Sequence, residues 1–196
     1  MSDASLPVAV KEVYKDYIPP VNAAAVVRTL LRYVPPKYLA GLGHIVLANS
    51  SGLSHRRRRE KTWSRKRKLR IAEARGVYRR RWKGEPAVIE ILVDNTVRSC
   101  PGVLLRVPPV RDLVFADVLY HELGHHIHTM RPEYRERENV AENWGARLAR
   151  SFLRRRYWYL QPLVYPVGFC LRTLRTVFTR NKNKRKRYGK TTRKAR

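Results

Sequence analysis

Hydrophobic and polar positions along this chain divide it into segments of different period. "AAAVVRTLLRY", which follows Asn22, carries apolar residues at helical spacing. Asn22 is a good N-cap, and the helix is expected to stop before Pro35 and Pro36. "LGHIVLAN", residues 42–49, reads as a short buried strand followed by the turn-like "SSGLS". "AVIEILVDNTV" reads as a strand over residues 87–93, with Glu90 as a polar break and Asp94 and Asn95 offering a turn. "CPGVLLRVPPV" is irregular, broken by its prolines. From Asp112, the expected cap, "DLVFADVLYHELGHHIHTM" has the length and character of a helix. A second helix is expected to begin at Pro132, because Val140, Ala141, Trp144, Leu148 and Phe152 recur on one face.

Charge changes this picture most. The 196 residues carry 43 Lys and Arg against 15 Asp and Glu, a net charge of +28. A field of that sign attracts polyanions, either nucleic acid or anionic lipid surfaces. Two regions concentrate it. "HRRRREKTWSRKRKLR" has one acidic residue and reads as a solvated basic loop or hairpin within residues 54–70, with the Trp63 ring pinning it to the core. No acidic residue follows Glu142, and residues 181–196 form a basic tail too poor in apolar residues to fold.

Cys100 and Cys170 stand in unrelated surroundings, so neither a disulfide framework nor a cysteine metal site is expected, and a reducing compartment is the simpler reading. The first 20 residues lack the pattern of a secretory signal. The apolar run at 157–171 is short and interrupted by Pro162 and Pro166, so it is not a membrane span. Together these lead to the expectation of a cytoplasmic protein, associated with nucleic acid or a membrane surface. The expected organisation is an N-terminal helical segment (1–36), one domain (37–156), an aromatic and basic segment (157–180) and the tail (181–196).

The chemistry concentrates in "HELGHHIH", residues 121–128. His121 and His125 are one helical turn apart and project from the same face, where both can reach one zinc ion at about 2 Å. Glu122 lies beside such an ion rather than on it, in position to take a proton from water. Gly124 costs a helix about 1 kcal/mol relative to alanine, which a close approach of other backbone or of substrate would justify. A catalytic zinc needs a third protein ligand. Glu138 and Glu142, four residues apart on the next helix, share a face that can look at the histidines if the helices pack as a hairpin. Glu138 would then complete the site, and Glu142 could accept a hydrogen bond from a ligand histidine's free ring nitrogen. His126 and His128 read as polar or interfacial residues, and His44 and His55 as structural or solvated ones. Tyr120, Tyr134 and Arg137 are all near enough in sequence to donate to an oxyanion, and nothing selects among them.

"HELGH" followed by "ENVAENWGA" resembles the gluzincin metallopeptidases, most closely their minimal single-domain members and related regulatory proteases with a downstream ExxA(D/N)x(F/W)A helix. The likeness runs over residues 87–152. It implies His121, His125 and Glu138 as ligands of one Zn2+, Glu122 as general base and acid, and a protein or peptide substrate. It also implies an edge strand before the active-site helix on which an extended peptide docks, the place "VIEILVD" would fill. Glu142 departs from the pattern, standing where the family has Asp or Asn. The expected fold is α+β and zincin-like: a short mixed sheet, an N-terminal helix, an active-site helix and a glutamate helix.

Three functions compete for the charge. A peptidase working near nucleic acid would grip phosphates with the basic loop and tail. A membrane-surface protein would use the arginine-flanked aromatics of residues 154–178. A non-catalytic nucleic-acid binder on a relic zinc fold would be expected to carry a spoiled motif, and His121, Glu122, His125 and Glu138 are all intact.

Overall fold

The computed structural model describes residues 8–64, 67–130 and 137–160. In chain order the elements are β1 (Ala9–Val13), α1 (Ala23–Leu31), β2 (Leu42–Ala48), α2 (His55–Arg59), β3 (Lys61–Ser64), β4 (Arg67–Arg70), β5 (Gly76–Arg79), β6 (Ala87–Leu92), α3 (Val93–Arg98), α4 (Pro108–Thr129) and α5 (Arg137–Arg156). The chain divides after Leu153 into a main body and a C-terminal unit. Within the latter, among described residues, Tyr157 meets Tyr159 edge-on. The start of the second helix at Pro132, residues 161–196 and the Trp63 side chain fall outside the described residues.

The fold is α+β with a mixed four-stranded sheet in the order β1-β2-β6-β5. β1, β2 and β6 run parallel, and β5 is antiparallel to β6. Parallel strands with both faces covered read as continuous apolar runs, and all six residues of β6 are buried. Hence "VIEILVD" is an interior strand and not the expected edge. The edge beside α4 is β5, a four-residue strand with no periodicity of its own to reveal it. A two-residue turn sets its register: Lys83 and Gly84 both take positive φ between Trp82 and Glu85, the hairpin geometry that matches strand twist.

α1 begins as expected, with the Asn22 side chain accepting from the Ala25 N–H at 2.9 Å. It packs on α4, and the buried Tyr120 hydroxyl donates to the Leu30 carbonyl at 3.0 Å. Phe152 of α5, fully buried, meets the rings of Tyr33 and Tyr120. The opposite side of the sheet carries a smaller core of Ala48, Leu53, Ile71, Ala74, Val77 and Leu92.

Two element boundaries differ from the sequence reading. The strand at 87 ends at Leu92, and Asp94 and Asn95 lie in α3 instead of a turn. There the Asp94 carboxylate accepts from the Ser50 N–H and hydroxyl, joining α3 to the loop after β2. α4 opens at Pro108, not at Asp112. Proline suits the first helical turn, where its missing N–H leaves no gap. Asp112 is instead buried and paired with Arg111 at 3.0 Å.

The polar break at Glu90 is a buried carboxylate in the middle of the sheet, 3% exposed. Arg57 of α2 meets it with two nitrogens, at 3.1 and 2.5 Å. Thus one arginine of the "HRRRR" run is an anchor, and the hairpin expected for the basic segment is β3–β4. Removing one partner of a buried pair strands the other charge. Arg57→Ala is expected to cost about 2 kcal/mol, less than for a fully enclosed pair because Arg57 is partly exposed. Urea denaturation measures it, and Arg57→Ala/Glu90→Leu should recover most of the loss.

Among the described residues no helix is long and apolar enough to cross a membrane.

Candidate metal centre

The centre lies where α4 and α5 cross. Helical spacing places His121 and His125 on one face of α4, their rings 4.8 Å apart and nearly perpendicular. The crossing is unusually close. A Cβ built on Gly124 would lie 2.5 Å from the Ala141 carbonyl oxygen and 2.7 Å from its Cα. One on Gly145 would lie 3.3 Å from the His121 backbone nitrogen. Gly124 therefore has the close backbone approach its helical cost called for, and the approaching element is α5. Gly145 plays the reciprocal part and was not singled out from the sequence, although it stands in the "ENWGA" string.

This crossing carries Glu138, near the start of α5, to the two histidines. Its Oε2 lies 3.7 Å from His121 Nε2 and its Oε1 3.6 Å from His125 Nε2. Such separations are too long for hydrogen bonds. They approach the roughly 3.3 Å between two ligands that each sit about 2.0 Å from one tetrahedral ion. The three donor atoms lie within 4.8 Å of one another, and this group is the candidate metal set among the described residues. His121 is buried, while His125 and Glu138 are part-exposed, so the group opens to solvent on one side. Two imidazoles and a carboxylate can hold a divalent ion and leave a position open.

Glu122 is 8% exposed and sits against the edge strand. A Cβ on Gly76 of β5 would come within 2.9 Å of the Glu122 Cγ and Oε1, and 2.7 Å of Val118. Gly76 lets the strand lie directly on the carboxylate, a contact with no sequence signal because it joins residues 46 positions apart.

The remaining histidines have other work. His126 faces away from the metal group, with Nε2 3.0 Å from the Ala40 carbonyl and Nδ1 3.1 Å from the Tyr78 hydroxyl. A carbonyl can only accept, so Nε2 carries the hydrogen and Nδ1 accepts from tyrosine. Burial lowers the His126 pKa, which favours this neutral ring. Tyr78 of β5 also reaches Thr129 at 3.1 Å, so this set of contacts fastens β5 along α4. His128 is buried outside the metal group, His55 is exposed on α2, and His44 is part-buried on β2.

Glu142 is not where the sequence reading put it. It is exposed on α5, and no hydrogen bond joins it to either histidine among the described contacts. Tyr120 is also removed from the candidate oxyanion donors, because its hydroxyl is buried against α1.

No family model, curated protein or solved structure matches the chain.

Proposed function

We propose that this protein is a zinc-dependent peptidase, with His121, His125 and Glu138 as the metal ligands. One observation carries the reading: the Glu138 carboxylate oxygens stand 3.7 and 3.6 Å from the His121 and His125 ring nitrogens, close to ligand-to-ligand separations, with Glu122, the residue after His121, outside the set. Imidazole and carboxylate donors suit zinc, which when bound would act as a Lewis acid and lower the pKa of its water towards about 7.

The protein's own groups have distinct parts. Glu122 takes the proton from the attacking water and returns it to the leaving amine. Gly76 keeps the strand backbone against that carboxylate. The outer edge of β5 has no strand partner among the described residues, so its backbone groups can pair with an extended peptide and bring a scissile bond past Glu122.

Metal analysis of the purified protein, paired with a cleavage assay on a peptide library, tests the reading. About one zinc per chain is expected, with His121→Ala lowering zinc affinity by at least about a hundredfold, beyond the loss seen for outer-shell changes. Zinc bound without cleavage of any library peptide would overturn the peptidase and leave a metal-binding, non-catalytic basic protein.

A further inference from the structure

The charge on α2 is not spread evenly in its uses. Arg57 turns inward to Glu90, and the helix is held at both ends. The Ser54 side chain accepts from the Arg57 N–H, and the Ile71 N–H donates to the Glu60 carbonyl at 2.8 Å. Arg56, Arg58 and Arg59 are thereby displayed on a fixed platform, all exposed.

Beside this platform lies a cavity of about 340 Å³ lined by His55, Arg58, Arg59, Arg70, Ala72 and Glu73. Three arginines and a histidine face one carboxylate. The neighbouring cavity, about 380 Å³, shows the contrast. Its two arginines are already answered, Arg75 by Asp117 at 2.7 Å and Arg98 by Asp94 at 3.8 Å. Among the described residues no carboxylate pairs with Arg58, Arg59 or Arg70. Arg56, the remaining cation of the helix, reaches only Glu60, at 3.9 Å and largely in solvent.

We propose that the surface formed by α2 and β4 docks the phosphate backbone of nucleic acid, with a phosphate seated between Arg58, Arg59 and Arg70. Guanidinium groups offer paired N–H donors that match phosphate oxygens, and several convergent ones select a polyanion over a single carboxylate. A membrane surface is the other polyanion to hand, but interfacial segments combine charge with apolar side chains that enter the lipid. The large exposed apolar residues here, such as Trp82, Val103 and Met130, lie outside α2 and β4. The site reads charge and spacing, so it carries no sequence preference. It does not depend on the metal centre.

The test is a salt titration of the full-length protein with a short labelled DNA duplex of arbitrary sequence, followed by fluorescence anisotropy. Arg58→Gln/Arg59→Gln/Arg70→Gln should weaken binding at least about tenfold at 0.1 M salt and lower the log–log salt slope by about 2–3, near 0.9 per lost phosphate contact. Arg147→Gln/Arg150→Gln/Arg154→Gln removes the same charge from exposed positions on α5 and should lose much less. Equal losses in both triple variants would mean attraction by net charge alone and overturn the site. So would binding to phosphatidylserine vesicles without binding to the duplex. Arginine-selective modification of the unaltered protein gives a readout independent of variant folding. Duplex should shield Arg58, Arg59 and Arg70 but not Arg147, and absence of that shielding overturns the proposal.

Discussion

Glu122→Gln is expected to keep its zinc and lose peptide hydrolysis by about 10²–10⁴-fold in kcat/KM, the range that general acid–base groups supply. The substitution conserves shape and removes only the ability to take a proton. Shape matters at this position, because the side chain is 8% exposed and β5 lies on it at Gly76. A larger or branched replacement would push the edge strand away and confuse loss of the base with loss of substrate docking. Glutamine does neither. Glu122 is also outside the donor set of His121, His125 and Glu138, so metal content should not change. Zinc per chain and kcat/KM measured on the same preparation separate the possibilities. A variant with full zinc and a rate within tenfold of the parent would remove Glu122 from the base role. Loss of zinc along with activity would instead place Glu122 among the ligands.

Much of the centre was legible because it rests on local spacing. Two histidines four residues apart on a helix share a face, and an asparagine before an apolar run marks where a helix begins. What escaped the sequence is what tertiary contact decides. Glu90 reads only as a polar break in an apolar run until Arg57, 33 residues away, is seen to neutralise it. The strand itself is interior because β2 and β5 pair along its two sides, another tertiary fact. Glu138 and Glu142 show the limit of face arguments. The buried face of α5 is set by Ala141, Leu148 and Phe152, with Gly145 against α4. Glu138 borders it, and Glu142 lies about 40° further round, the offset left by four residues at 3.6 per turn. Spacing alone permits both to face the histidine pair; the crossing at Ala141 turns only Glu138 there. β5 is the hardest case. Four residues are too few for a period, and its position follows from the Lys83–Gly84 turn and the Tyr78–His126 contact.

The same crossing makes Gly124 a sensitive position although it contributes no donor atom to the group. Gly124→Ala should stabilise an isolated helix by about 1 kcal/mol, because alanine is the better helix former. Here the added methyl would stand 2.5 Å from the Ala141 carbonyl oxygen, and all three of the nearest atoms are backbone. Helix backbone cannot swing aside as a side-chain end can, so α5 has to move off. Overpacking of this kind costs about 3 kcal/mol, which outweighs the helical gain and leaves a net loss of about 2 kcal/mol. For a body of this size that lowers Tm by about 4–8 °C. The larger consequence is at the metal. Glu138 is three residues from Ala141, so displacing α5 moves the carboxylate away from His121 and His125 while both histidines stay in register on α4. Zinc affinity should fall by about 10–100-fold, as it does when the support of a metal ligand is disturbed. Gly102→Ala is the matched control, since nothing lies within 4 Å of a Cβ there. Thermal melting of the metal-free protein and competitive zinc titration read the two effects separately. If Gly124→Ala melts and binds zinc like the Gly102→Ala control, the close packing of α4 on α5 is not what holds Glu138 in place.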